Sequence, residues 1–352
     1  MTTGNELDPF SHNNQRANHS SFDSFLENSG ITSPTYSRII RRQISRSDII
    51  YNLFFPVIIK KVWEKGVSHR NFLRNLRTEY GERQVVNFYD FTMNLDLSSL
   101  RDASIFALHQ NRKIYESTLS EIIQSFLKPG MTFVDAGANN GYFSLMASKL
   151  VGPTGFVHSF EPSPRNLPRL IENVGLNSLN NISTHNVALG NADGFIDFYL
   201  SSNEDGCDSS VKLDHYEQKV SVKVTPLDNV LKGKIVDFVK IDVEGYELEV
   251  LQGCDRLIRD NQNIIISVEQ NDQLLRTRRK SRNSVIEWLL DQGFMIRELV
   301  DTVDTKDASL SHLVSARDIK SCKDLSKRLA NLLCIKPANT NEIALKIFGL
   351  PA

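Results

Sequence analysis

Apolar positions along the 352-residue chain change period at intervals that predict strands alternating with helices. Phe133 to Gly141 reads as a strand entering a glycine-bearing turn, preceded by the breaker Lys128-Pro129-Gly130. From Tyr142 to Leu150, apolar residues at 143, 146, 147 and 150 follow helical spacing. Gly155 to Phe160 is a second strand, ending at Glu161-Pro162. Ser163 and Pro164 then open a helix with Leu167, Leu170, Ile171 and Val174 on one face, closed by Gly175 and Asn177. Asn181 to Leu189 predicts a third strand. Ile235 to Val243 is apolar on both faces, as in a central parallel strand. A helix over Gly245 to Leu251, a buried strand over Asn263 to Val268 and a helix over Ser284 to Gln292 follow. Late strands are expected at Phe294 to Leu299 and Asn331 to Ile335. This alternation predicts an α/β fold with a doubly wound, Rossmann-like sheet and right-handed crossovers.

Two stretches break the alternation. Phe195 to Leu200 and Lys219 to Val224 predict an inserted antiparallel ribbon, joined through a polar loop beginning at Ser201 to Ser209 that is long enough to act as a lid. Ahead of the regular region, residues 1–47 read as a disordered polar tail. Residues 48–114 read as a mainly helical N-terminal extension with short extended pieces at 84–89 and 91–97, and residues 115–352 as the main domain. The apolar stretch 49–63 is shorter than the roughly 20 residues of a spanning helix and contains Pro56. Its flanking Arg and Lys residues would suit peripheral membrane contact, but a helix packed on the protein is the favoured reading.

Charge and cysteine usage narrow the class. A formal net charge of -1 argues against a dedicated nucleic-acid binder. The first residues lack a secretory pattern, and the four cysteines form no CxxC pair, so the chain reads as cytoplasmic with reduced thiols.

In a doubly wound sheet, ligands bind at the carboxyl ends of the strands, which directs attention to Asp135, Glu161, Asn186, Asp242 and Glu269. Glu161 stands where an acidic residue pairs with ribose hydroxyls in nucleotide-binding βαβ units. The turn is Gly137-x-x-x-Gly141, with Asn139 where a dinucleotide fingerprint needs its middle glycine. This disfavours a dehydrogenase. S-Adenosylmethionine has no phosphates to seat and tolerates the looser turn.

Four segments occur in order: 134–141 (Val-Asp-Ala-Gly-Ala-Asn-Asn-Gly), 160–162 (Phe-Glu-Pro), 186–190 (Asn-Val-Ala-Leu-Gly) and 239–245 (Val-Lys-Ile-Asp-Val-Glu-Gly). Together they resemble the motif series of the FkbM-type methyltransferases, S-adenosylmethionine-dependent enzymes with the class I fold. The resemblance covers Tyr115 to Asn271, with an echo at 331–334; Asn140 departs from it, since the family has an apolar or small residue there. It implies that Gly137, Asn139 and Gly141 let the backbone approach the methionine moiety, with Asp135 on its amino group. It further implies Glu161 on both ribose hydroxyls, Asn186 and Val187 beside adenine, and Glu116, in a Tyr-Glu pair, closing over the cofactor.

For the chemical step, Asp242 is the expected catalytic residue at a strand end, and Lys240, unusual within an apolar strand, shares its face. Lys240 is either catalytic or the holder of Asp242, and a buried lysine requires a carboxylate partner in both cases. Asp242, Glu244 and Glu269 are the candidates for a divalent cation, but Glu244 opens a helix whose dipole alone favours a carboxylate, so no metal is expected. His158 and His185 read as satisfied strand residues, and His215 as an outside candidate for the base. The run Arg276 to Arg282 reads as a solvated loop or as a contact for an anionic acceptor. The expected activity is O-methylation of a hydroxyl on a sugar, glycan or secondary metabolite. N-methylation and a non-catalytic cofactor-binding scaffold are the alternatives.

Overall fold

The computed structural model describes residues 69–88, 90–110, 113–201, 208–212, 216–300, 314–315, 318–326 and 329–350. The polar tail, the stretch 49–63, His215 and residues 202–207 of the candidate lid lie outside the described residues. The chain divides into two compact units, Met1–Glu79 and Tyr80–Ala352. The described part of the first is the body of helix α1 (His69–Tyr80), where Leu73 and Leu76 are buried at helical spacing. No helix among the described residues is long and apolar enough to cross a membrane.

The second unit opens with a hairpin of β1 (Arg83–Asn87) and β2 (Thr92–Asp96), followed by helices α2 (Leu100–Gln110) and α3 (Ser117–Phe126). The regular region then runs β3 (Thr132–Ala136), α4 (Tyr142–Val151), β4 (Phe156–Phe160), α5 (Asn166–Leu176), β5 (Ile182–His185) and β6 (Ala188–Leu189). After β7 (Gly194–Ser201), β8 (Tyr216–Thr225) and α6 (Leu227–Val230) come β9 (Phe238–Ile241), α7 (Glu247–Gln252), α8 (Asp255–Asp260) and β10 (Ile265–Asn271). The chain continues through α9 (Asp272–Thr277), α10 (Ser284–Asp291), β11 (Met295–Glu298), β12 (Leu329–Ile335) and α11 (Glu342–Phe348).

Seven strands form one sheet in the order β5-β4-β3-β9-β10-β12-β11. Neighbours from β5 to β10 are parallel, and β12 runs antiparallel to both β10 and β11. The winding goes outward from β3 to β5, then returns to continue from β9 on the other side of β3. Strand order therefore reverses between β3 and β9, the switch point at which such sheets carry their ligand. This is the doubly wound, Rossmann-like class I arrangement expected from the alternation. Both central strands are buried, β9 at all four positions, and the core continues through Val134, Phe160, Val239, Ile266 and Leu332.

The expected third strand, Asn181 to Leu189, is broken. β5 stops at His185, and the Val187 N–H donates back to the His185 carbonyl at 2.9 Å. β6 then leaves the main sheet and pairs in parallel with β8. Burial explains the departure. Along the sheet-edge strand β5 every position is only half-buried, whereas Ala188 packs with Phe198, Leu200, Val222 and Val224 in a core of its own. The inserted ribbon β7–β8 is consequently two-thirds of a three-stranded sheet, ordered β6-β8-β7.

Asn140, the departure from the family pattern, ties the glycine turn to the segment before it. Its Nδ2 donates to Asp102 Oδ1 at 2.8 Å, and its Oδ1 accepts from the Tyr142 N–H at 3.2 Å. Asp102 Oδ2 accepts from the Asp96 N–H, while Asn173 donates to the Asn140 carbonyl and accepts from the Asn94 N–H, each at 2.8 Å. Asn140, Asp102 and Asn173 are all buried, so this network docks the hairpin and α2 against the turn and α5 through groups with no access to water. Asn140→Ala should remove a donor from a carboxyl whose pKa burial already raises, and cost about 2–3 kcal/mol. Urea unfolding checks this; a loss under about 0.5 kcal/mol would mean that the network does not support the turn.

Candidate active site

Three strand ends meet at the switch point, and the chain after each bends to leave a space. After β3, Gly137, Asn139 and Gly141 all have positive φ, at 82°, 50° and 92°. Gly137 is required by contact, since a Cβ there would stand 1.9 Å from the Asp242 carbonyl oxygen. Its glycine lets the turn after β3 lie against the end of β9. Gly141 precedes α4 and packs on Leu170, where a Cβ would meet Cδ1 at 2.7 Å. After β9, Glu244 and Gly245 repeat the left-handed conformation.

The space is an open cleft of about 610 Å³, part of it continuous with solvent. Gly137, Asn139, Glu161, Val187, Asp242 and Glu244 line it, so six residues singled out from the sequence meet in one place. Ala188, Leu189, Ile196 and Phe198 supply an apolar wall on the side of the small sheet. Asp208 and Ser210 close over it from the insertion: Ser163 Oγ donates to Asp208 Oδ2 at 2.5 Å, and Ser209 Oγ to the Glu244 carbonyl at 2.7 Å.

Glu161, at the end of β4, is 4% exposed. Its Oε2 accepts from the Asn139 N–H at 2.7 Å and its Oε1 from the Ser163 N–H at 2.9 Å, which fixes the carboxyl plane. Burial pushes its pKa up to about 7, against the partial relief of the two backbone donors.

Beneath the turn, Lys240 is 3% exposed and bridges β3 and β9. Its Nζ lies 3.4 Å from Asp135 Oδ1 and 3.3 Å from Asp242 Oδ2, and 5.1 Å from the centre of the Phe143 ring. Burial would lower the lysine, but Asp242, Asp135 and Glu116 more than offset it and hold the ammonium charged. Asp135 also accepts from Ser144 Oγ at 2.7 Å and is not among the residues lining the cleft. Arg101, from α2, approaches Asp242 Oδ2 at 3.7 Å. Burial would raise Asp242, yet Lys240 and Arg101 together keep it ionised below the usual carboxylate range. Asp242 Oδ1 is buried without a hydrogen-bond partner.

Glu269, at the equivalent end of β10, is driven the opposite way: burial and then the charges of Asp242, Glu244 and Glu116 raise it well above an ordinary carboxyl. Neighbouring carboxylates thus divide into one held ionised and one held protonated. Asp242, Glu244 and Glu269 bring oxygens within 4.8 Å of one another, a spacing a cation could use, but Lys240 and Arg101 already place positive charge on Asp242. Glu116, half-buried at the start of α3 with φ of 42°, is raised by burial and by Asp242, placing its charge near the same strand end. Asn186 is exposed and outside the lining.

His158 and His185 satisfy each other, Nδ1 to Nε2 at 3.2 Å, and burial keeps both neutral, His158 at about 4. Three of the five cations in the basic run are engaged internally. Arg278 makes two 2.9 Å bonds to Glu249 and lies over Tyr246, Lys280 joins Glu249 at 3.3 Å, and Arg282 pairs with Asp272. Sequence reasoning did not single out Arg101 or Asp208. Neither stands in a recognisable spacing, and both reach the cleft only through the tertiary path of their segments.

Residues 135–296 match the model of the methyltransferase FkbM domain. This stretch is a methyltransferase FkbM domain. Methyltransferase 1 of Beauveria bassiana is 29% identical over 144 residues, covering 35% of this chain and 57% of that protein. Methyltransferase sdnD of Sordaria araneosa is 32% identical over 155 residues, covering 35% of this chain and 60% of that protein. The matched part therefore spans less than two-thirds of either relative. The FkbM methyltransferase of Methylobacillus flagellatus, a solved structure, has a TM-score of 0.37 at 16% identity, over 65% of this chain and 52% of that one. M. jannaschii TYW2, solved in complex with AdoMet, has a TM-score of 0.36 at 14% identity, over 72% of this chain and 84% of that one. The FkbM domain includes the turn, Glu161, Val187 and the carboxylates of β9 and β10, whereas Arg101 and Glu116 precede it.

The raised pKa of Glu161 has a consequence for stability. Between about pH 4.5 and 7 the folded state holds a proton on Glu161 that the unfolded chain has released, so stability falls as pH rises through that window, by up to about 3 kcal/mol. Unfolding free energies across this range should fall less steeply in Glu161→Gln. The part due to Glu247, raised by burial to about 8, should persist in the variant. Equal slopes in the two proteins would contradict the assignment.

Proposed function

We propose that this chain is an S-adenosylmethionine-dependent methyltransferase acting on a hydroxyl of a small molecule, sugar or glycan. The reading rests on one coincidence: the strand-end cleft of an FkbM domain is lined by the glycine turn, by Glu161 and by Asp242 together. Across the strand ends the order is Val187 after β5, Glu161 after β4, Gly137 after β3 and Asp242 after β9. Adenine suits the apolar wall, the ribose hydroxyls suit the fixed carboxyl of Glu161, and the methionine end then crosses Gly137 toward Asp242. When bound, S-adenosylmethionine supplies a methyl group on a sulfonium that departs readily.

The chain's own contribution is to place the acceptor and receive its proton. Asp242 Oδ1 is the acceptor for that proton, while Oδ2 is pinned by Lys240. Its low basicity suffices, because a hydroxyl becomes strongly acidic as its oxygen gains a methyl group. Lys240 acts through Asp242 as a positioning residue. Carboxyls at 242 and 244 on the cleft would favour the ammonium form of an amine, which cannot accept a methyl group, so a hydroxyl is the favoured acceptor.

Calorimetry with S-adenosylmethionine, S-adenosylhomocysteine and NAD tests the reading. The first two should bind and NAD should not. Glu161→Ala should weaken S-adenosylhomocysteine at least about 10-fold. Asp242→Asn should leave that affinity within a few-fold and cut methyl transfer to hydroxyl-bearing extracts about 100-fold or more. Binding of NAD without S-adenosylhomocysteine would overturn the proposal, and cofactor binding without transfer to any acceptor would favour a scaffold.

A further inference from the structure

Resting on the cofactor reading above, we infer that Arg101, which lies ahead of the FkbM domain, holds the α-carboxylate of the cofactor's amino-acid moiety. Side chains lining the cleft include the carboxyls of Glu161, Asp208, Asp242 and Glu244, and among the described lining residues Arg101 is the only cation. A ligand with a carboxylate at the methionine end would meet repulsion there unless a cation receives it. Lys240 does not serve, because it is 3% exposed beneath the turn and bound to Asp135 and Asp242.

Position supports the same assignment. Arg101 approaches Asp242 after β9, three strands across the sheet from Val187 after β5, so it stands where the methionine end arrives once Glu161 takes the ribose. Its side chain is 19% exposed, and among its contacts those with Asp242 at 3.7 Å and the Tyr115 hydroxyl at 3.4 Å are long. A guanidinium presents its N–H donors in a planar fork, which can keep such contacts and take a carboxylate bidentate. Arg101 is itself placed by the buried Asp102–Asn140 bond one residue away, so the contact that docks α2 on the turn also aims the guanidinium.

The test compares S-adenosylhomocysteine with its decarboxylated analogue, which lacks only the carboxylate, by calorimetry on the full chain. The unmodified protein should prefer S-adenosylhomocysteine by about 10- to 100-fold, with the preference shrinking as salt rises. Arg101→Met should abolish the preference by weakening S-adenosylhomocysteine alone, leaving the analogue within about 2-fold, and Arg101→Lys should restore part of it. Equal weakening of both ligands would make Arg101 a wall of the cleft and overturn the inference. An unchanged preference in Arg101→Met, or none in the unmodified protein, would also overturn it. Failure of the unmodified protein to bind either ligand would instead bring down the cofactor reading, and the inference with it.

Discussion

A lysine ammonium buried between two strands sets the geometry of this molecule. Lys240 sits in the middle of an otherwise apolar strand, and its burial is tolerable only because Asp135 on β3 and Asp242 at the end of β9 both face it. That triad spans the point where the sheet reverses its order. It fixes how far the end of β9 reaches past β3, which is why the following turn needs glycine at 137. It also determines which oxygen of Asp242 Lys240 holds, the Oδ2 atom. Removing Lys240 would leave the carboxyls of Asp135 and Asp242 in the core without the ammonium between them.

Around that triad the site separates roles among similar groups by environment. Two cations hold Asp242 ionised, while burial and neighbouring carboxylates keep Glu269 protonated. Glu161 is pinned by two backbone donors, and burial raises it to about 7. The segment before the FkbM domain completes the arrangement: Asp102 anchors the turn and Arg101 supplies the positive charge that the lining otherwise lacks.

Much of this was legible in the sequence, for identifiable reasons. Long periodic segments such as Tyr142 to Leu150 became helices because their apolar faces had a sheet to cover. The strand-end residues Gly137, Glu161 and Asp242 converge because parallel winding brings every carboxyl end to one edge. Two kinds of feature stayed hidden. The break at 186–187 has no local signal, since Val187-Ala188-Leu189 is apolar in either sheet and only the presence of β8 decides which one it joins. Arg101 looks like any arginine in the first turn of a helix, and its meaning depends on a buried hydrogen bond between distant segments. Within the basic run at 276–282, Arg278 and Lys280 pair with Glu249 and Arg282 with Asp272, partners that the sequence alone does not point to.

The central claim is that the edge between β5 and β9 is a cofactor cradle read from adenine to methionine. A crystal structure of the full chain with S-adenosylhomocysteine tests it most directly. The account predicts both ribose hydroxyls within hydrogen-bond distance of the Glu161 carboxyl, adenine on the wall formed by Val187, Leu189 and Phe198, and the sulfur on the side of Asp242. A nucleoside lying in the reverse direction, or a ribose held away from Glu161, would contradict it.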